Sequence, residues 1–357
     1  MGLPFLGRKT KRRDQIIAID LGGRTTKAIQ LQRRGERFSL ENYAVMDAPI
    51  FEKTMPTELL AEHLRVITRA LGNGRAKPVT LAIGVSDCLF RQLEVPLMPL
   101  EDMRTMLKFN SKNYLQQDLP DHVFDCHFVL SKSIGKPSEG KASAGQLKQK
   151  IMIGGARKQT IDELQVAIKA AGLISDQVVP GVVGPANAFE MAEPEIFTKE
   201  VVALVDIGFK NSTITILDCG EIKLNRVVGI GGDRLTAGLA ETLNITYVEA
   251  ENIKMGMPTE VQPNLEMLLN PLGRELRASI DFFENQQDKT VTQVFVSGGS
   301  ARNDIILQIL QAELMATCKG WNPTSFLQLA LPPEKMGEIE QVAPQLSVAV
   351  GAAASGF

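Results

Sequence analysis

Residues 16–31 read IIAIDLGGRTTKAIQL, and residues 201–217 read VVALVDIGFKNSTITIL. Each is an apolar strand, then Asp-x-Gly, then small polar residues, then a second apolar strand. Asp20 aligns with Asp206, Gly22 with Gly208, and Thr25 or Thr26 with Ser212 or Thr213. One such turn is compatible with a plain hairpin. Two, each opening its own half of the chain, predict duplicated domains that face one ligand. Glycine lets backbone N–H groups come close to phosphate oxygens, and hydroxyls add donors. A carboxylate repels phosphate. Asp20 and Asp206 therefore call for a divalent cation between them and the phosphates. Mg2+ suits, because it keeps several waters and takes few protein carboxylates.

Two further glycine turns follow. In VGIGGDRLTAGLAETL (228–243), Gly231 and Gly232 precede a helix start at Asp233. In VFVSGGSARNDI (294–305), Ser297-Gly298-Gly299-Ser300 links a strand to a helix. Backbone amides at such helix starts are natural contacts for the phosphate or ribose of a nucleotide.

The rest of the chain frames these turns. Its 357 residues, 44% hydrophobic, suffice for two domains or more. A net charge of -2 gives no bulk electrostatic basis for nucleic-acid binding. Cys88, Cys126, Cys219 and Cys318 form no CxxC pair, which fits a reducing compartment without a zinc knuckle or disulfide framework. No apolar run approaches the length of a membrane span, and no signal peptide precedes the first strand, so a cytoplasmic protein is expected. Residues 1–14 are set apart as a basic tail, whose MGLPFLGRKTKRR holds five cations and no acid. It reads as a disordered tail or a weak contact to an anionic surface.

Strand-like runs fall at 16–19, 27–32, 38–46, 79–85, 91–95, 125–130, 150–154, 201–206, 212–217, 221–228 and 293–297. They alternate with helical patterns at 57–71, 102–117, after Asp233 and at 264–285, which predicts an α/β architecture. Thr160–Glu163 and Thr246–Glu249 have the form of capping boxes. The polar stretch 131–149 reads as a hairpin tip, and 180–200 as the connection between halves. His122, Cys126 and His127 lie on a strand with the two histidines on opposite faces, a poor metal site. Met103, Met106 and Phe109 read as core and groove lining.

Taken in order, the motifs resemble the actin/Hsp70/sugar-kinase ATPase superfamily. Within it they are most similar to the PilM family of type IV pilus assembly proteins, relatives of the division protein FtsA. The likeness spans nearly the whole chain: VPLMPLEDMR (95–104), LQQDLPDHVFDCHFVL, KIMIGGARKQTIDELQVAIKAAGL, AENIKMG (250–256), LRASIDFF (276–283), VSGGSARN (296–303) and APQLSVAVGAAA (343–354) follow in the family's order. The resemblance implies an actin-like (ribonuclease H-like) fold of duplicated domains with an inserted small α/β subdomain. It places the first subdomain at 15–85, the insertion at 86–178 and the second domain at 179–357, with an adenosine-binding subdomain near 233–290. It implies ATP with Mg2+ in the interdomain cleft. Asp20 and Asp206 would lie at the metal. Gly22, Gly23, Arg24, Thr25, Lys27, Gly208, Ser212 and Thr213 would form the phosphate loops. Gly231 and Gly232 would form a phosphate-side turn, Glu251 and Lys254 the helix flanking the adenosine, and Gly298, Gly299 and Ser300 the adenosine loop.

The resemblance also implies partners. The N-terminal cytoplasmic peptide of PilN would lie between the first subdomain and the insertion. The protein would act as a scaffold at the inner face of the inner membrane, held there by its partner and joined to other pilus components; a homo-oligomer is compatible with this. Two departures stand out. Gly22-Gly23-Arg24 replaces the family's usual hydroxyls, and Val179-Pro180-Gly181 carries no carboxylate where relatives have an acid that helps orient the attacking water. Binding is therefore expected, with hydrolysis weak or absent. A sugar-kinase-like phosphotransferase would need a base over a small-molecule pocket, and the sequence offers none that convinces. An FtsA-like filament protein would carry a C-terminal amphipathic helix, whereas SVAVGAAASGF shows none; a type II secretion scaffold would run on into a membrane span.

Overall fold

The computed structural model describes residues 14–51, 55–72, 78–129 and 148–357. The basic tail up to residue 13 and the polar tip from 131 to 147 lie outside the described residues. Short apolar runs separated by polar turns make the first three strands a meander: β1 (Gln15–Leu21), β2 (Thr25–Arg34) and β3 (Arg37–Asp47) pair antiparallel in turn. Helix α1 (Thr57–Ala70) places Leu60, Leu64 and Ile67 on the sheet, all buried, and leads to β4 (Pro78–Ile83), parallel to β1.

The chain then leaves this sheet. β5 (Cys88–Pro96), α2 (Leu100–Leu115), β6 (His122–Phe128) and β7 (Lys148–Arg157) form a separate sheet of order β5-β7-β6. Its own small core holds Val95, Met103, Leu107, Ile151 and Ile153. Phe109, expected in core or groove, is 71% exposed, beside a break in α2 where Asn110 leaves helical geometry. Lys148 and Gln149, placed in the polar tip by sequence, open β7 instead.

α3 (Lys158–Ala170) and β8 (Ile174–Pro180) return to the first sheet, β8 pairing parallel with β4. The expected insertion ran to residue 178, but the three-stranded unit closes at β7. Val178 and Val179 alternate between the two apolar cores that sandwich the first sheet, which commits β8 to it. α3 starts at Lys158, directly after β7, so Thr160 sits inside its first turn and caps nothing.

α4 (Gly184–Ala192) and α5 (Pro194–Lys199) cross to the second half. There β9 (Val201–Ile207), β10 (Ser212–Asp218) and β11 (Glu221–Val228) repeat the meander. α6 (Gly232–Leu243), α7 (Tyr247–Gly256) and α8 (Gln262–Gln287) follow, then β12 (Gln293–Ser297), parallel to β9 as β4 is to β1. At the start of α7 the capping box is formed: Thr246 Oγ1 accepts from Glu249 N–H, and Glu249 accepts from Thr246 N–H. α9 (Asp304–Leu314) and β13 (Cys318–Gly320) complete this lobe. β14 (Gln328–Leu329) pairs with β3 of the first sheet, and α10 (Pro333–Met336), α11 (Ile339–Val342) and α12 (Ser347–Ala354) close the chain. The sheets thus run β14-β3-β2-β1-β4-β8 and β11-β10-β9-β12-β13. α12 packs on α4 and on β1, between the two sheets. Among the described residues no helix is long and apolar enough to cross a membrane.

Candidate functional site

The turn after β1 and the turn after β9 open on one cleft of about 510 Å3 between the lobes. Asp20, Gly22, Gly23, Arg24, Thr25 and Lys27 line it from the first lobe. Asp206, Gly208, Thr213, Gly232, Glu251, Lys254, Gly299 and Ser300 line it from the second. Three candidates stand behind the wall. Ser212 is fully buried, and its Oγ donates to the Ile230 carbonyl at 2.6 Å, tying the second turn to the loop that leads into α6. A Cβ on Gly231 would lie 2.3 Å from the Phe209 carbonyl oxygen. Gly298 has φ +94°, and a Cβ there would lie 2.4 Å from the Ile207 carbonyl oxygen. These residues shape the turns rather than face the cleft.

Asp20 sits at the end of β1, 7% exposed, with Lys27 Nζ 3.2 Å from Oδ2. Burial pushes its carboxyl above the ordinary value of 3.8; Lys27 opposes the shift and Asp206 adds to it. A raised carboxyl favours the fold fully below pH 3.8, and that contribution is lost as pH rises through the folded value. At neutral pH the buried charge opposes folding. Asp20→Asn should therefore raise the urea midpoint of the ligand-free protein at neutral pH, with the gain vanishing toward pH 3.8. Denaturation series at the two pH values check this.

Asp206 is held differently. Its Oδ2 accepts from Ser297 Oγ at 2.9 Å and Ser347 Oγ at 2.7 Å, which leaves Oδ1 for the cleft. Arg24, the residue that departs from the family pattern, crosses between lobes. Its Nη1 lies 3.3 Å from Glu251 Oε1, and its guanidinium stacks 5.5 Å over the Phe209 ring. Glu251 in turn accepts from Thr236 Oγ1 and from Lys254 Nζ at 2.7 Å. Burial alone would raise the Glu251 carboxyl, but these donors hold it below the usual range. Burial lowers Lys254, which is 3% exposed, against the pull of Glu251.

The donor set fits a phosphate-bound divalent cation. Two carboxylates line the one cleft, and Asp206 adds to the upward shift that burial imposes on Asp20. Among the described residues no group of three or more metal-type side chains gathers, so phosphate oxygens and water would have to complete the shell. The turns are cradles a side chain would fill: a Cβ on Gly22 would lie 2.5 Å from the Thr25 carbonyl oxygen, and one on Gly208 2.8 Å from that of Asn211. Sequence reasoning passed over Lys210, Asn211, Arg302, Gln345 and the Gly84–Asp87 turn, which also line the cleft. Lys210 and Asn211 lay inside the quoted repeat, whereas the Gly84–Asp87 turn had no local signal.

The family described as type IV pilus assembly protein PilM matches residues 18–357. The chain belongs to the PilM family. Among solved structures, the fold is similar to a chain of the PilM-PilN type IV pilus biogenesis complex. The TM-score is 0.80 at 19% identity, over 97% of this chain and 99% of that one. It is also similar to the ethanolamine utilization protein EutJ from Carboxydothermus hydrogenoformans, with TM-score 0.53 at 15% identity over 99% of this chain and 92% of that one. MreB5 of Spiroplasma citri bound to ADP gives TM-score 0.53 at 10% identity, over 96% and 95%. At these identities the likeness is one of fold. The fold is actin-like, as expected, and PilM-family membership puts the chain in type IV pilus assembly.

Proposed function

We propose that the protein is a nucleotide-binding scaffold of type IV pilus assembly, working at the cytoplasmic face of the inner membrane. ATP lies in the interlobe cleft with its phosphates over the Gly22 and Gly208 turns. Asp20 and Asp206 face a Mg2+ ion, whose role is to neutralise the phosphates against these carboxylates. Glu251, Lys254 and Ser300 line the nucleoside end. One observation carries this reading: the duplicated turns, 186 residues apart by their aspartates (206 minus 20), open on a single cleft. The binding of MgATP, measured by calorimetry, tests it.

The partner is the N-terminal cytoplasmic peptide of PilN. It docks at the seam between the first sheet and the inserted one, lined by Cys88, Val123, Phe124, Ile161 and Val178. β8 and β6 are edge strands of their sheets, able to pair with an extended chain. The likeness to a chain from a PilM-PilN complex supports this choice. A fluorescent PilN peptide, titrated by anisotropy, should bind the wild type and bind Phe124→Ala about tenfold more weakly, or about 1.4 kcal/mol. Equal binding by both would move the peptide to another surface.

A further inference from the structure

Hydrolysis of a nucleotide needs a group that orients water and accepts its proton. The resemblance implies an acid for this in relatives, at the segment that is Val179-Pro180-Gly181 here and ends on Gly181. No side chain fits at that position, because a Cβ on Gly181 would lie 2.7 Å from the Ile83 carbonyl oxygen. A neighbouring turn offers a carboxylate instead. β4 lies between β1 and β8, all parallel, with Ala82 opposite Asp20 and Ile83 opposite Pro180. The carboxyl ends of these strands therefore sit side by side, where open parallel sheets put their ligand chemistry.

The Gly84–Asp87 turn, closed by the Asp87 N–H donating to the Gly84 carbonyl at 2.9 Å, follows β4 onto the cleft wall. A Cβ built on Gly84 would be 2.9 Å from Asp87 Oδ2 and 4.0 Å from the Leu21 carbonyl oxygen. The Asp87 carboxylate and the end of β1 thus flank the same glycine. Of the other carboxylates on the cleft, Asp20 is engaged by Lys27, Asp206 by two serines and Glu251 by Lys254 and Arg24, while Asp47 stands at the end of β3, three strands away from β4. Among the described residues no hydrogen bond or ion pair holds the Asp87 carboxylate. Burial pushes it above the usual carboxylate range, with Arg157 pulling the other way. Asp87 is solvent-exposed and lines the cleft wall with no hydrogen bond or ion pair among the described residues, so its carboxylate can meet a water there and act as a base.

We propose that Asp87 is the base that orients and deprotonates the attacking water when this protein hydrolyses a nucleoside triphosphate. The proposal rests on the nucleotide reading above. Asp87 takes a proton from the water as the water oxygen bonds to the terminal phosphorus. The bond from that phosphorus to the bridging oxygen breaks, and its electron pair leaves with the nucleoside diphosphate. Inorganic phosphate and the diphosphate are the products, and Asp87 returns its proton to solvent.

The test compares the wild type with Asp87→Asn and Asp87→Glu. The readouts are phosphate release with MgATP, calorimetric affinity for MgATP and for MgADP with tetrafluoroaluminate, and thermal midpoint. Asp87→Asn should lose about 100-fold in phosphate release and at least ~10-fold in fluoroaluminate affinity, with MgATP affinity and thermal midpoint unchanged. Asp87→Glu should recover part of the release. Equal release by wild type and Asp87→Asn overturns the proposal, and so does a wild type that binds MgATP but releases no phosphate; both leave the nucleotide reading standing. A wild type that does not bind MgATP overturns both.

Discussion

Asp206→Asn is expected to keep the fold and lose MgATP, whereas Asp206→Ala is expected to damage both. The carboxylate has two separate tasks. Through Oδ2 it accepts from Ser297 and Ser347, whose side chains are 1% and 0% exposed. An asparagine oxygen can accept the same two hydroxyls, so Asp206→Asn should cost at most about 1 kcal/mol of stability. It cannot supply the charge a Mg2+ ion needs beside the phosphates, and affinity for MgATP should fall about 100-fold, the upper end of what a supporting ligand contributes. Asp206→Ala removes the acceptor as well. Two buried hydroxyls then lack a partner, at about 1–3 kcal/mol each. Calorimetric titration and urea denaturation on the two variants separate the tasks. Full MgATP affinity in Asp206→Asn would remove the cation from this turn.

Gly351→Ala should be the most damaging methyl group in the protein. α12 and α4 touch backbone to backbone at this residue. A Cβ on Gly351 would lie 1.8 Å from the Gly184 carbonyl oxygen, and one on Gly184 2.7 Å from Val348 Cα. No rotamer relieves a clash with backbone, so the helices must part. That opens a core in which Val182, Val183, Ala349 and Val350 are all but fully buried. The expected cost is about 3 kcal/mol or more, well above the ~1 kcal/mol that alanine adds to a helix over glycine. The effect reaches the cleft, because Ser347 lies one turn before Gly351 on α12 and holds Asp206. MgATP affinity should fall along with the urea midpoint. Gly256→Ala is the control: a Cβ there has nothing within 4 Å, and its midpoint should hold or rise slightly. Equal midpoints for the two variants would mean that α4 and α12 are not in contact.

The local patterns carried much of the fold. Short apolar runs marked the strands of both meanders, and Leu60, Leu64 and Ile67 marked the buried face of α1, because such signals depend only on neighbours in sequence. The box at Thr246 worked for the same reason. Thr160 misled because β7 runs into α3 without a connecting loop, which moved the helix start to Lys158. β8 was missing from the strand-like runs, and most of it was counted with the insertion. Its strand character comes from pairing with β4, nearly a hundred residues away in sequence.

The cleft divides in the same way. The chain by itself settled that two Asp-x-Gly turns existed and that each lay between apolar strands, since glycine, carboxylate and hydroxyl in one turn have few other uses. Pairing between distant segments decided what each group does. Asp206 finds its donors 91 and 141 residues downstream, Arg24 reaches Glu251 across the lobes, and Gly181 is bare because the Ile83 carbonyl fills its space. Hydrogen bonds and steric contacts act over a few ångströms. Groups remote in the chain come within that range only once both sheets and the helices α4 and α12 have packed.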